Sequence, residues 1–506
     1  MRFRNGFCEG GCIANREVFK IVAVQFIHVA PFCRSYRSIL KSSIRCTRAV
    51  DNQVLTPISG TNKGYTRVDT QPHPLDNASK IQGTPVKIQT FASANWVDPI
   101  SLLYKPFRFS PLISCLCLAL CLLFWSGISV AKTNTTIKPD RLKTVSEQFF
   151  DERKLASLLV QVRVNGDAVF SHTQGQAMPN VPATKDGHFR NGAVAIAYMA
   201  ATLLKLAEQG LINLDTPIIK WLPHLPYADK VTPRMLSNMT SGYPDYVADA
   251  GFIEAFYDDP FRNWTNAERI KISNESTRVF EPGKNWDYSH AGYVILAEVM
   301  EAATNKPLKQ LIQENVLEPM DLKHTLSIDT PYMPDPVIHA YSAERGIYED
   351  ATFWNPSWTL PEGAVQVTTI DDMARSFDTL VGKTGFLSEP MRQQMIAPTL
   401  VGFGAPLEGC RSCHTMSRNF YYGLGVFMSR DWIFQSPLFG GYSSMVATLP
   451  ADRSPTGERI TIAVATTARE DAFADWVEDP QNLADSLTRL FAVEVVPDNG
   501  LAPSRH

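Results

Sequence analysis

Phe189-Arg190-Asn191-Gly192-Ala193-Val194-Ala195-Ile196-Ala197-Tyr198-Met199-Ala200-Ala201-Thr202-Leu203-Leu204-Lys205-Leu206-Ala207-Glu208-Gln209-Gly210 reads as a helix over residues 193–208, rich in Ala, Leu and Met and stopped by Gly210. On its N-terminal side lie an amphipathic stretch at 140–157 and two β-rich runs, 159–164 and 168–172, joined by Asn165-Gly166-Asp167. Asn-Gly between two such runs is a hairpin signal. On the other side come mixed helices and loops to about residue 397, including 291–303 and 370–380. Strand signals return at 420–428, 432–435, 444–449 and 460–466, and 482–491 reads as a closing helix. Two early strands, a helical middle and late strands predict one α+β unit, with an antiparallel sheet assembled from both ends of the segment.

Composition divides the chain of 506 residues at a single apolar run. Residues 1–104 carry 13 basic and 6 acidic side chains, whereas 132–506 carry 33 and 45. With 44% hydrophobic residues and a net charge of −3, the chain can bury a core and has no basic excess to invite nucleic acid. The run itself, 111–130, follows Lys105 and Arg108, holds no charge and ends at Ser129-Val130-Ala131. A positive segment, an apolar segment and small residues at the −3 and −1 positions predict an export signal cleaved before Lys132, with a membrane anchor through 111–130 as the alternative. The 104 residues before it are expected to be disordered or to lie upstream of the true start, and Ser38-Ile39-Leu40-Lys41 within them is read as chance. The expected organisation is therefore extension 1–104, signal or anchor 105–131 and domain 132–506, placed in or facing the periplasm.

Five short segments, in order, resemble the serine β-lactamase and penicillin-binding-protein superfamily, especially class C enzymes and related esterases. They are Phe189-Arg190-Asn191-Gly192, Met239-Thr240-Ser241-Gly242-Tyr243-Pro244-Asp245-Tyr246, Trp286-Asp287-Tyr288-Ser289-His290, Tyr422-Gly423-Leu424-Gly425 and Gly440-Gly441-Tyr442-Ser443-Ser444. The resemblance implies a β-lactamase-like fold, an antiparallel sheet flanked by helices with a helical lobe. It also implies acyl transfer, which needs a Ser at a helix N-terminus and a Lys three residues later to take its proton. Laid onto this chain, those positions hold Ala193 and Ile196, which offer neither a nucleophile nor a base. Thr202 with Lys205 has the right spacing but, about 2.5 turns along, lies on the opposite face of the helix.

The other two implied elements are altered as well. Tyr-x-Asn becomes Tyr288-Ser289-His290, in which His290 can still donate and accept a hydrogen bond. Lys-Thr-Gly becomes Gln435-Ser436-Pro437, a neutral amide where a cation would grip a carboxylate and a proline suited to an edge or bulge. The N–H groups of Ala193 and Leu438 are left as an oxyanion-type pair. The leading expectation is an exported, catalytically degenerate member that binds a peptide-like or cell-envelope ligand, or a partner protein, through Tyr288, His290, Gln435 and Leu438. The second is a hydrolase that uses Tyr288 or His290 in a substituted mechanism.

Cys410-Arg411-Ser412-Cys413-His414 spells the c-type haem attachment sequence. These are the only cysteines after residue 131, so a disulfide is the first expectation in an oxidising compartment. Haem through Cys410, Cys413 and His414, making a redox protein, is the second, and another metal the third. No other cofactor is expected.

Overall fold

The computed structural model describes residues 137–476 and 482–501. The extension, the apolar run with its cleavage site and Ser38-Ile39-Leu40-Lys41 lie outside the described residues. No helix among the described residues is long and apolar enough to cross a membrane.

The amphipathic stretch divides into a helix and a strand. Helix α1, Pro139–Glu152, has proline in its first turn beside Asp140, both suited to a helix start, and buries Leu142, Val145, Phe149 and Phe150. Lys154, at φ 53°, turns the chain into β1, Leu155–Val164. Asn165 and Gly166 both have positive φ, 53° and 99°, and connect β1 to β2, Asp167–Met178, as the Asn-Gly signal predicts. The short β3 is Val181–Pro182. The late strands are β4 Tyr421–Tyr422, β5 Phe427–Ser429, β6 Trp432–Gln435, β7 Leu438–Phe439, β8 Tyr442–Leu449 and β9 Ile460–Ala468. The run expected at 420–428 is two strands because Gly423–Val426 loops out between them.

These strands form one sheet in the order β3-β2-β1-β9-β8-β6-β5-β4, with β7 also paired to β8. The sheet is closed by pairing β1 with β9, Val160 opposite Val464, across some three hundred residues of chain. Strands β8 and β9 are buried along their whole length, so both of their faces are covered. One cover is α1 together with α5, Leu483–Val495, whose cap residue Asn482 is bonded to Ser443 Oγ at 2.8 Å. The other is α4, Ile370–Leu380, whose Asp378 meets Arg459 and Thr461.

The long helix α2, Val194–Glu208, is buried along most of its length and joins α4 through Tyr198 Oη donating to Ser376 Oγ at 2.7 Å. Thr202 is fully buried with its hydroxyl returned to Tyr198 O, and Lys205 is turned to Phe386. Neither approaches the start of α2. Between α2 and α4 lies the helical lobe, which includes the helices Pro233–Ser237, Ala250–Asp258 and Asn266–Glu275 and α3, His290–Thr304.

Candidate functional site

The β6–β7 edge and the Gly425 turn pack against the start of α2, and the turn into α3 reaches the same strands through Tyr288, whose ring lies on Phe427. Ala193 is the residue before the first turn of α2, 6% exposed, with no side-chain cap. Ile196 is fully buried. The glycine turn explains why. Gly425, at φ 71°, is seated so closely that a Cβ there would lie 2.5 Å from Ala200 Cβ, 2.9 Å from Ile196 O and 3.0 Å from Tyr293 Oη. Only glycine lets the Tyr422-Gly423-Leu424-Gly425 turn fold down on α2, and the turn covers the face on which Ile196 lies.

Gln435 belongs to this packing. Its Nε2 donates to Gly425 O at 2.7 Å and it is 1% exposed, so it braces the turn and is not free to take the ligand-binding role expected of it. Pro437 follows at the break between β6 and β7, and a Cβ on Gly192 would lie 2.7 Å from Pro437 Cβ. The proline ring is thus packed against the chain that enters α2. Beyond it Leu438 is half-buried, and the Phe439 ring lies tilted 5.5 Å from that of Trp358, which lies 5.0 Å from Phe256 of the lobe.

Tyr288 and His290 are adjacent, with ring centroids 5.3 Å apart, but their surroundings differ. Tyr288 is 7% exposed and stacked on Phe427 at 6.2 Å. Burial, reinforced by the negative charge of Asp245, holds its phenol well above its ordinary pKa. A phenol kept neutral in this way can donate a hydrogen bond but is no base.

His290, the first residue of α3, is partly open. Its Nδ1 lies 3.1 Å from Asp245 Oδ2 and 3.3 Å from Oδ1, and its backbone N–H also donates to Asp245 Oδ1 at 3.1 Å. Asp245 itself caps the short helix Tyr246–Ala248. A carboxylate that fixes an imidazole at Nδ1 leaves Nε2 to face whatever enters the site. In the sequence Asp245 carries no role beyond its place in the Met239–Tyr246 segment. Its position before a new helix signalled a cap, but nothing local showed that His290, forty-five residues later, shares the same oxygen.

The loop carrying Cys410 and Cys413 is packed against the turn into α3. Ser412 Oγ accepts the Tyr288 N–H at 2.8 Å and donates to Asp287, while Asn285 exchanges two hydrogen bonds with Ala405. Burial pushes the Asp287 carboxyl up to about 6. Cys410 and Cys413 are joined as a disulfide, with Cα atoms 5.5 Å apart. His414 is 7% exposed, its ring against Trp286 at 5.3 Å and Phe420 at 6.0 Å, with Nδ1 on Ser412 O. A haem needs two free thiols and an imidazole open to an apolar pocket. As the disulfide stands the two sulfurs are taken up by each other, and His414 is packed between Trp286 and Phe420 with Nδ1 on Ser412 O, so its ring is not presented to an apolar pocket.

A cavity of 490 Å³ lies elsewhere, at the start of α4, lined among others by Lys185, Lys323, Asp321, Asp371 and Arg375. Its charges pair locally, Arg375 with Asp371 and Lys323 with Asp321, as on a solvated rim.

Comparison with known proteins agrees with the fold. The family model described as Beta-lactamase matches residues 142–485. Penicillin-binding protein 4* of Bacillus subtilis is 22% identical over 54% of this chain and 62% of its own length. Esterase EstB of Burkholderia gladioli is 27% identical over 50% of this chain and 72% of its own. The chain therefore spans less than two thirds of the first of these relatives. Among solved structures, a D-amino acid amidase from Ochrobactrum anthropi shares 20% identity at a TM-score of 0.55, covering 69% of this chain and 98% of that one. A penicillin-binding protein from Bacillus halodurans shares 19% at 0.53, covering 68% and 98%. At these identities the solved structures speak for the fold alone.

Proposed function

The chain belongs to the β-lactamase family, and given that membership we propose that it forms no acyl-enzyme and acts by binding a peptide-like or cell-envelope ligand through His290, which Asp245 orients, and Leu438. The observation that carries the reading is the pairing of Ala193 with a fully buried Ile196 at the start of α2. A methyl group has no lone pair with which to attack, and a buried isoleucine accepts no proton. Two further features support it. Gln435 is committed to Gly425, and Tyr288 is held as the neutral phenol. The mature chain is taken to be exported, by cleavage after the apolar run or by anchorage through it, which agrees with a disulfide at Cys410 and Cys413.

Fluorescent penicillin and a labelled peptide ending in a D-amino acid, each titrated onto the purified protein, test the proposal. The peptide should bind reversibly, with a polarisation signal lost on His290→Ala, and penicillin should leave no band on a denaturing gel. A labelled serine anywhere in 132–506 would overturn it.

The Asp245–His290 pair favours a second reading, in which imidazole activates water against an acyl ester. In that case a panel of acyl esters should show turnover in the parent that falls by about 10²-fold or more in His290→Ala, the usual share of a general base. Turnover unchanged by that substitution removes this reading.

A further inference from the structure

The carboxylate of Asp287 and the two sulfurs of Cys410 and Cys413 lie within 4.8 Å of one another. Cys413 is buried, and Asp287 and Cys410 are half-buried. While oxidised, the two sulfurs satisfy each other. Once reduced, they are two thiols separated by two residues and facing a carboxylate, the spacing from which a tetrahedral zinc ion takes a cysteine pair. Backbone and side chains already hold the third ligand in place: Asp287 precedes Tyr288, whose N–H is fixed on Ser412 between the two cysteines.

We propose that the reduced protein binds one zinc ion through Cys410 Sγ, Cys413 Sγ and the Asp287 carboxylate, so that the loop is a metal site gated by its own disulfide. A small dithiol supplies the reduction. Its two thiols give two electrons and two protons, its own sulfurs join, and the Cys410–Cys413 bond breaks to two thiols. Zinc then displaces those two protons to solvent and forms two Zn–S bonds and one Zn–O bond, leaving a fourth position for water. Zinc suits the set because thiolate and carboxylate oxygen are both among its ligands and it needs no redox change. Binding draws on the carboxylate that Ser412 Oγ now bonds, and so loosens the hold of Ser412 on the segment leading to His290.

The test compares the full chain with its Cys410→Ser, Cys413→Ser double variant, since the seven other cysteines are common to both. After reduction by a dithiol and removal of excess metal, the parent should retain about one more zinc per chain than the variant. Cobalt should give the parent a thiolate charge-transfer band that the variant lacks. Asp287→Asn, checked for native circular dichroism, should weaken zinc binding about 10-fold or more, since even an outer-shell partner is worth that much. Equal zinc in parent and double variant overturns the site. Unchanged affinity in Asp287→Asn overturns the three-ligand form.

Discussion

At the scale of single residues, the chemistry turns on a methyl group and an isobutyl-sized side chain. Ile196 is fully buried beneath the Gly425 turn, so Ile196→Lys alone places an ammonium among apolar atoms and should cost about 3 kcal/mol or more in urea unfolding. The same burial would lower the pKa of the new lysine toward a useful base. Ala193→Ser with Ile196→Lys should therefore show slow ester cleavage where each single variant and the parent show none. A folded, inert double variant would mean that the Pro437 ring against Gly192 has closed the approach to residue 193. A second residue-scale effect lies in Glu344, whose carboxyl burial pushes up to about 7 against the opposing hydrogen bond from Tyr257 Oη at 3.2 Å. Because the folded state keeps this proton more tightly than the unfolded one, stability falls as pH rises through the interval from the ordinary carboxylate value to about 7. Glu344→Gln should be more stable than the parent by on the order of 1–2 kcal/mol at about pH 8, with the gap narrowing toward pH 5. An equal gap at both pH values would exclude this titration as its cause.

At the scale of elements, the site is held by two turns whose roles follow from backbone geometry. The first is the Gly425 turn. Gly425→Ala must place a methyl 2.5 Å from Ala200 Cβ at φ 71°, so either α2 or the turn moves. Overpacking and positive φ together should cost about 2–4 kcal/mol, and Gln435 should lose its carbonyl partner. Thermal unfolding would show the loss, and a melting point equal to that of the parent would contradict the packing described for Ile196. The second is the Asp245 corner, where one carboxylate caps Tyr246–Ala248, accepts the first N–H of α3 and orients His290. Asp245→Ala should cost about 1–2 kcal/mol through the lost cap, and more than any stability change made by His290→Ala, because the backbone bonds survive the loss of the imidazole. Equal costs would mean that the side-chain pair, not the cap, is what Asp245 contributes. Both variants should weaken the peptide if His290 is the recognising group.

At the scale of the whole molecule, periodicity and turn signals carried the sheet and helices while most of the site's support was invisible. The Asn165-Gly166 turn, helix α4 at Ile370–Leu380 and β6 at Trp432–Gln435 are local in cause and were readable. The β1 boundary was not, because Leu155–Ser157 continues an amphipathic pattern that only the positive φ of Lys154 interrupts. Ala193 and Ile196 are assigned as the altered positions from motif order alone, whereas the burial of Gln435, the Asp245 partner of His290 and the packing of the Cys410 loop against Tyr288 arise from contacts between distant segments. The pairing that closes the sheet is likewise non-local, since β9 sits between β1 and β8 and supplies a partner to both. A chain ending before Ile460 would leave β1 and β8 with unpaired edges in a buried, apolar part of the sheet, and would also lack α5 over one face. Unpaired, apolar strand edges are templates for association, so such a truncation should accumulate as aggregate and show no cooperative unfolding transition. Supplying residues 455–501 as a separate peptide should rescue soluble protein, since the missing strand fits a gap bounded on both sides. A truncated chain that stays monomeric and unfolds cooperatively on its own would show that the helical lobe and α2 form a core without the closing strand.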